Sequence, residues 1–115
     1  MTNPEDQKAQ RRLAAILAAD VVGFSTLMSH DEEGTLARIK SLRREVIEPK
    51  VSDHQGRVVK TTGDGFLIEF ASPVEAVRCA LVIQRALGSG PLQLRIGINL
   101  GDVIIEPDGD IYGEG

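Results

Sequence analysis

The segment VVKTTGDGFLIEF, residues 58–70, contains two apolar runs joined by a short glycine-rich turn. The flanking residues 57–62 and 66–70 have the length of strands, and Gly-Asp-Gly at 63–65 favours a tight turn, because glycine and aspartate tolerate the positive φ that such turns use. One face of the second strand is apolar throughout, through Phe66, Ile68 and Phe70. The segment therefore predicts a β-hairpin with one buried face, and its tip carries two opposite charges, Lys60 and Asp64.

The rest of the chain is consistent with one folded domain. Its 115 residues, 42% hydrophobic and 26% charged, are enough for a single core. A formal net charge of −4 supplies no broad basic surface, so we expect no nucleic-acid partner. The single cysteine, Cys79, cannot form an internal disulfide and is predicted to be a small core residue. We assign residues 1–12 to a flexible N-terminal segment and 13–115 to the domain.

The apolar run Leu13–Ala19 follows three basic residues and superficially imitates a signal peptide. Glu5 and Asp6 interrupt the basic start, the run ends at Asp20, and no segment approaches the roughly 18 apolar residues that a membrane span requires. We interpret the run as a buried central strand, although its alanines would also suit a helix. We therefore predict no membrane segment in this chain and a cytoplasmic location.

Two helices are predicted from their caps and from apolar residues at steps of three and four. The first spans about 30–48, because Ser29 and Glu32 match a capping box and Pro49 terminates the pattern. The second is bounded by an N-cap serine, a first-turn proline, a glutamate at the capping-box position and a terminal glycine: Ser72, Pro73, Glu75 and Gly88.

The C-terminal part predicts two more strands. Residues 92–99 alternate apolar with polar or small side chains, and 103–106 form a further short strand before a turn at 107–109. The order strand, helix, strand, strand, helix, strand, strand is the split βαβ pattern of ferredoxin-like α+β folds. We expect an antiparallel sheet with both helices on one face. The opposite face, to which Arg95 and Gly97 point, is then available to a ligand or a second subunit.

Asp20 ends the first strand and Asp64 lies at the hairpin tip, and this topology places those strands side by side. Two neighbouring carboxylates repel, and Mg²⁺ binds one or two carboxylates together with phosphate oxygens. The turn after Asp20 presents backbone amides that suit an anion. Taken singly, each charged residue has an ordinary structural explanation as a turn aspartate, a strand end or a solvated side chain. Together, in this topology, they favour a metal site.

At these residues the sequence resembles the class III adenylate and guanylate cyclase catalytic domain. Four segments carry the resemblance, in the family's order and with similar spacing: AADVVGFSTLM (18–28), VVKTTGDGFLIEF (58–70), LRIGINLGDV (94–103) and DGDIYGEG (108–115). It extends from about Leu13 to Gly115. The fold that it implies is the nucleotide cyclase palm, which is a ferredoxin-like split βαβ.

The resemblance also implies roles for particular residues. Asp20 and Asp64 match the two metal-binding aspartates, and Val21 matches a residue whose carbonyl assists one ion. The residues that match the triphosphate-holding turn are Val22, Gly23, Phe24, Ser25 and Thr26. Arg95 matches an arginine that contacts phosphates. Lys60 and Asp110 match the pair that recognises adenine, whereas guanylate cyclases typically carry Glu and Cys there.

By the same resemblance, the chain is an adenylate cyclase catalytic domain that converts ATP to 3′,5′-cyclic AMP and pyrophosphate. Two Mg²⁺ ions, with Mn²⁺ as the alternative, act in a head-to-tail homodimer. Each site takes its metal aspartates from one subunit and its base-reading pair from the other. ATP and a second copy of the chain are thus the expected partners.

Two departures from the family pattern affect these expectations. Asn99 and Leu100 occupy positions where many relatives have His and Thr. The chain also stops at Gly115, before an Asn and an Arg that in the family orient the ribose and stabilise the pentavalent phosphorus. The resemblance therefore implies a partial cyclase domain with little or no activity by itself, since loss of a cationic transition-state group commonly costs about 10³ or more in rate.

The alternative is a degenerate cyclase-like or ferredoxin-like regulatory or dimerisation module without turnover. A diguanylate cyclase is disfavoured because its GG-[DE]-EF hairpin does not match TGDGF at residues 62–66. A P-loop nucleotidase is excluded because GxxxxGK[ST] occurs nowhere in the chain.

Overall fold

A computed structural model describes residues 10–105 and 111–113, with side chains over 12–102. The strands are β1 (Gln10–Val21), β2 (Gly56–Thr61), β3 (Gly65–Phe70), β4 (Leu94–Ile105) and β5 (Ile111–Gly113). The helical elements are α1 (Phe24–His30), α2 (Glu32–Leu42), a π-helical turn (Arg43–Ile47), α3 (Glu48–Asp53) and α4 (Pro73–Leu87). No helix in the described part is long and apolar enough to cross a membrane.

The strands form one sheet in the order β2-β3-β1-β4-β5, and every neighbouring pair is antiparallel. β1 lies in the centre, as predicted, between the hairpin and β4. The prediction of separate strands over 92–99 and 103–106 was wrong, because β4 runs unbroken for 12 residues. Its register explains why: β1 pairs with β4 along its whole length, from Gln10 opposite Ile105 to Val21 opposite Leu94.

One face of the sheet, here called the helix face, is covered by α3 and α4, and α2 packs into the same core, which confirms the predicted α+β arrangement. Alternate residues of the central strands point into this core. Those that are buried on the sheet side are Ala15, Leu17, Ala19, Val21, Phe66, Ile68, Phe70 and Leu94. The helices contribute Ile39, Leu42, Ile47, Val51, Ala76, Cys79 and Ile83.

Cys79 is fully buried, as predicted, and burial raises the pKa of its thiol to about 11.

The opposite side, here called the open face, carries the intervening residues of the same strands. On β1 and β4 these include Asp20 opposite Arg95 and Ala18 opposite Gly97. The prediction that Arg95 and Gly97 point away from the helices is thus confirmed.

The predicted first helix was correct in type and wrong in its boundaries. Ser29 and Glu32 do not form a capping box, because Ser29 lies inside α1 and its hydroxyl donates to the Thr26 carbonyl at 2.8 Å. Asp31 caps α2 instead, accepting from the Gly34 N–H at 2.9 Å.

Pro49 does not end the helical run either, since α3 continues to Asp53. The Glu48 N–H bonds to the Arg43 carbonyl, five residues back, and this widened π turn accommodates a proline in the next turn.

The second helix begins and ends where the sequence predicts. The Ser72 hydroxyl accepts from the Glu75 N–H at 3.3 Å, and Gly88 ends the helix with φ 52°. The Glu75 carboxylate, however, bonds to His54 at 2.9 Å and Arg78 at 2.9 Å. The pKa of the Glu75 carboxyl is lowered, first by its hydrogen bond with His54 and then by its hydrogen bond with Arg78. This links the end of α3 to the start of α4.

The hairpin contains two irregularities. Neither Asp64 nor the glycines beside it adopts positive φ, so that part of the turn prediction was wrong. The register also shifts in β2: Val58 lies opposite Ile68 and Lys60 lies opposite Leu67, with Val59 as the extra residue of a bulge. Because of this bulge, Lys60 shares the open face with Leu67.

Candidate active site

Asp20 and Asp64 lie next to each other at the ends of neighbouring strands. Asp20 on β1 is opposite Gly65 of β3, and Asp64 immediately precedes that glycine. The Val21 N–H donates to the Asp64 carbonyl at 2.9 Å, so the hairpin tip is bonded directly to the end of β1. Both aspartates line one cleft of about 380 Å³. The sequence-predicted pair is therefore brought together.

Gly65 permits this close approach of the two strands. A Cβ at position 65 would lie 2.8 Å from Thr62 Oγ1 and 3.2 Å from the Ala19 carbonyl oxygen. Both distances are shorter than ordinary van der Waals contact. A side chain at position 65 would therefore require Thr62 or the Ala19 backbone to shift, so the glycine favours the position of Asp64 beside Asp20.

Arg95 lies across from Asp20 on β4 and binds its carboxylate through two nitrogens. Nε donates to Oδ1 at 3.0 Å and Nη2 donates to Oδ2 at 3.3 Å. Arg95 is 76% exposed and Asp20 45% exposed, so the ion pair is in contact with water. The residue predicted to contact phosphates therefore neutralises a predicted metal ligand.

The electrostatics of this cluster involve both aspartates. The pKa of Arg95 is raised above its usual value, first by the hydrogen bond with Asp20 and then by the charge of Asp20. The charge of Asp64 adds a smaller contribution in the same direction. Asp64 thus acts on Arg95 through space, and the three charged groups form one cluster at one end of the inner strands β1, β3 and β4.

The predicted phosphate-holding turn lies beside the hairpin tip. Val22 is exposed, Gly23 adopts φ 67° and ψ 31°, and α1 then begins at Phe24, a helix that the sequence prediction missed. No side chain caps α1, which leaves its first amides available to an anion. A Cβ on Gly63 would lie 3.8 Å from the Phe24 ring, which places the turn against the hairpin. Ser25 and Thr26 are both exposed.

Lys60 lines the same cleft as Asp20 and Asp64. Its side chain is exposed and has no hydrogen bond or ion pair within the described part of the chain. Asp110, its predicted partner in adenine recognition, lies outside the described residues. The structure thus places Lys60 near the acidic pair and does not describe the second half of the base-reading pair.

The donor set suits a cation that takes further ligands from a substrate. Among the side chains over 12–102, no group of three or more His, Cys, Asp or Glu forms a closed metal cage. Two carboxylates at one cleft leave most coordination positions to phosphate oxygens and water, which is the mode that Mg²⁺ prefers.

A second charged cluster on the open face was not predicted. Glu69 is 3% exposed and pairs with Arg12 of β1 and with Arg57 of β2, the latter at 3.1 Å. The sequence does indicate that Glu69 lies on the open face, because it is two positions from Leu67 on the same strand. Its burial could not be inferred from that spacing, because it depends on residues from three different strands.

Known proteins similar to this chain were found by sequence and by structure, although no family model matches the chain. A Rhizobium meliloti (strain 1021) protein provisionally named adenylate cyclase 3 is 48% identical over 117 residues, which cover 95% of this chain and 20% of that protein. The crystal structure of an adenylate/guanylate cyclase/hydrolase from Silicibacter pomeroyi matches with a TM-score of 0.81 and 47% identity. The match covers 92% of this chain and 66% of that one.

The chain belongs to the class III adenylate/guanylate cyclase family. This class III cyclase domain spans about a fifth of its R. meliloti relative and 29% of a Streptomyces coelicolor adenylate cyclase that is 30% identical. The guanylyl cyclase Cya2, at 24% identity and a TM-score of 0.78, supports the fold alone.

Proposed function

We propose that this cyclase domain acts as an adenylate cyclase, converting ATP to 3′,5′-cyclic AMP and pyrophosphate in a head-to-tail homodimer. The observation that carries the proposal is the juxtaposition of Asp20 and Asp64 at one cleft, with the Asp64 backbone bonded to Val21. A module that only dimerises has no need of two carboxylates and a guanidinium together at one end of the inner strands. We retain a cytoplasmic location as part of the proposal.

Asp20 and Asp64 would hold two divalent cations, Mg²⁺ or alternatively Mn²⁺, with the Val21 carbonyl as an additional ligand. Such ions supply two effects: they make the ribose 3′-hydroxyl a better nucleophile and neutralise the pyrophosphate leaving group. The 3′-oxygen forms a bond to the α-phosphorus, the bond from that phosphorus to the β-phosphate oxygen breaks, and the hydroxyl proton passes to solvent. Arg95 and the amides of residues 22–26 bind the triphosphate and orient it for in-line attack.

Lys60 would donate to a ring nitrogen of adenine, and Asp110 would accept from the amino group. In the proposed dimer these two residues serve the site of the other subunit. The position of Lys60 on an exposed strand surface, rather than in the core, is what such a contact requires. Dimerisation is then part of the mechanism, since neither chain alone provides both the metal aspartates and the base-reading pair.

The test is cyclisation of ATP and of GTP, measured with Mg²⁺ and with Mn²⁺. It is run on the 115-residue chain and on a version extended to the length of the S. pomeroyi relative. We expect cyclic AMP from the extended version and little or none from the 115-residue chain. Asp64→Asn should lower the extended version's activity by at least about a hundredfold, because metal ions stabilise transition-state charge by several kcal/mol.

Matched controls separate loss of the site from loss of the fold. Asp53→Asn removes an exposed aspartate at the end of α3 and should leave the activity unchanged. Lys60→Glu should shift the ATP-to-GTP preference or abolish activity, whereas Lys40→Glu on α2 should do neither. Normal dimers without turnover in the extended version would favour the degenerate module instead.

A further inference from the structure

The Asp20–Arg95 ion pair engages both oxygens of a proposed metal ligand. Each oxygen of Asp20 accepts one hydrogen bond from the guanidinium. A carboxylate oxygen has a second lone pair, so the geometry alone does not block a cation. A dication bound there would, however, lie within a few ångströms of a positive guanidinium, and the two charges repel. The cation and Arg95 therefore compete for Asp20.

Arg95 is able to leave Asp20. Its side chain is 76% exposed, and the adjacent open-face residues of the strand, Gly97 and Asn99, are exposed as well. Asp20 and Arg95 lie opposite each other on neighbouring antiparallel strands, so the backbone need not move when the guanidinium swings away. Solvent-exposed ion pairs are weak, which makes such an exchange possible at modest cost.

We infer that Arg95 is an exchangeable counter-ion: it occupies Asp20 when no metal is bound, and a divalent cation displaces it toward the anionic phosphates of the substrate. This inference rests on the proposed function, because it requires that Asp20 is a metal ligand. It also links the binding of the metal to the binding of the nucleotide. A cation that releases the guanidinium increases the number of groups free to bind phosphate, so metal and nucleotide bind with positive coupling.

The test measures Mn²⁺ binding to the nucleotide-free 115-residue chain by electron paramagnetic resonance, at fixed ionic strength. Arg95→Gln removes both the ion pair and the charge, whereas Arg95→Lys keeps the charge and loses the two-nitrogen contact. We expect both variants to bind Mn²⁺ more tightly than the unmodified chain, by about two- to fivefold, which is the range of an exposed ion pair. Arg38→Gln, which removes an exposed arginine of α2, is the control and should have no effect.

The outcomes are distinguishable. If Arg95→Gln tightens Mn²⁺ binding but Arg95→Lys does not, only the through-space charge matters and the exchange is overturned. If neither variant changes the affinity while Asp64→Asn weakens it, the metal site stands and the exchange is wrong. If Asp20→Asn and Asp64→Asn both leave Mn²⁺ binding unchanged, the proposed function itself fails.

A second measurement follows the guanidinium directly. In an arginine-selective ¹⁵N–¹H spectrum, the Arg95 Nε–H signal is assigned by its loss in Arg95→Lys. Titration with diamagnetic Mg²⁺ should shift this signal with the same concentration dependence as metal binding. A signal that stays fixed while Mg²⁺ saturates the site would show that Arg95 remains on Asp20.

Discussion

The two faces of the sheet are built from the same strands and have opposite characters. On β3, Phe66, Ile68 and Phe70 are buried under the helices, while Leu67 and Glu69 between them lie on the open face. On β1, Ala19 packs into the core and its neighbour Asp20 lines the cleft. Because successive side chains of a strand point to opposite faces, the residues that stabilise the core alternate with the residues that line the open face. Substitutions on the helix face should lower the free energy of unfolding, and substitutions at the cleft should change the binding of divalent cations.

The comparison is tested most strongly by Phe70→Ala. Phe70 is fully buried on the helix face, and we expect the free energy of unfolding to fall by about 3–5 kcal/mol because the truncation leaves a cavity. Urea denaturation followed by circular dichroism measures the loss. Leu67→Ala, on the open face of the same strand, is the matched control and should cost less than half as much. Equal losses would mean that the open face contributes to the core.

The Glu69 cluster sharpens the comparison, because it is a buried charge on the open face. The double variant Arg12→Ala/Arg57→Ala leaves the Glu69 carboxylate buried without its two cations, and we expect a loss of about 3 kcal/mol. Glu69→Gln should cost less, since each arginine is about half exposed and can be hydrated. Urea denaturation at constant pH ranks the two, and the reverse order would contradict this account.

Cys79 tests the helix face through pH. Burial raises the folded-state pKa to about 11, from 9.0 for an unperturbed thiol, so the neutral thiol is favoured in the folded chain. Its stabilising contribution is complete below pH 9, where both states are protonated, and is lost as pH rises from 9 through about 11. The expected loss is about 2–3 kcal/mol.

Unfolding free energies measured at pH 8, 9, 10 and 11 check this. Cys79→Ala is the control, because it removes the titrating group and should flatten that part of the profile. Other groups ionise in the same range, so the difference between the two chains is the relevant quantity. An identical decline in both would show that the thiol does not contribute.

The smallest effect is expected at the cleft itself. Asp20→Asn disrupts the exposed pair with Arg95, and we expect the free energy of unfolding to change by less than about 1 kcal/mol. The same substitution should abolish Mn²⁺ binding at the cleft. A large loss of stability would mean that the acidic cluster is structural, and the contrast between the faces would then disappear.

The sequence predicts those parts of the structure that depend on local signals. Ser72 and Gly88 mark the ends of α4 because a cap and a stop act within one turn of the helix. The alternation in β3 gives its buried face for the same reason. The proximity of Asp20 and Asp64 followed from topology, since the split βαβ order makes their strands neighbours.

Other features depend on contacts that are distant in sequence. The pair between Asp20 and Arg95 joins residues 75 positions apart, and it requires the exact register of β1 on β4. The continuity of β4 likewise comes from the length of its partner strand. Pro49 was misjudged because a π turn, which has no clear sequence signal, made room for it. Helix α1 was missed because its seven residues bury no side chain completely.

The bulge at Val59 has a consequence for how this surface tolerates insertions and deletions. Strict alternation from Val58, which faces the helices, would turn the side chain of Lys60 toward them too. One additional residue in β2 therefore decides on which side of the sheet an ammonium group emerges. Removing Val59 would keep every charged residue in the sequence, yet it would turn the Lys60 ammonium group toward the apolar core and remove it from the open face.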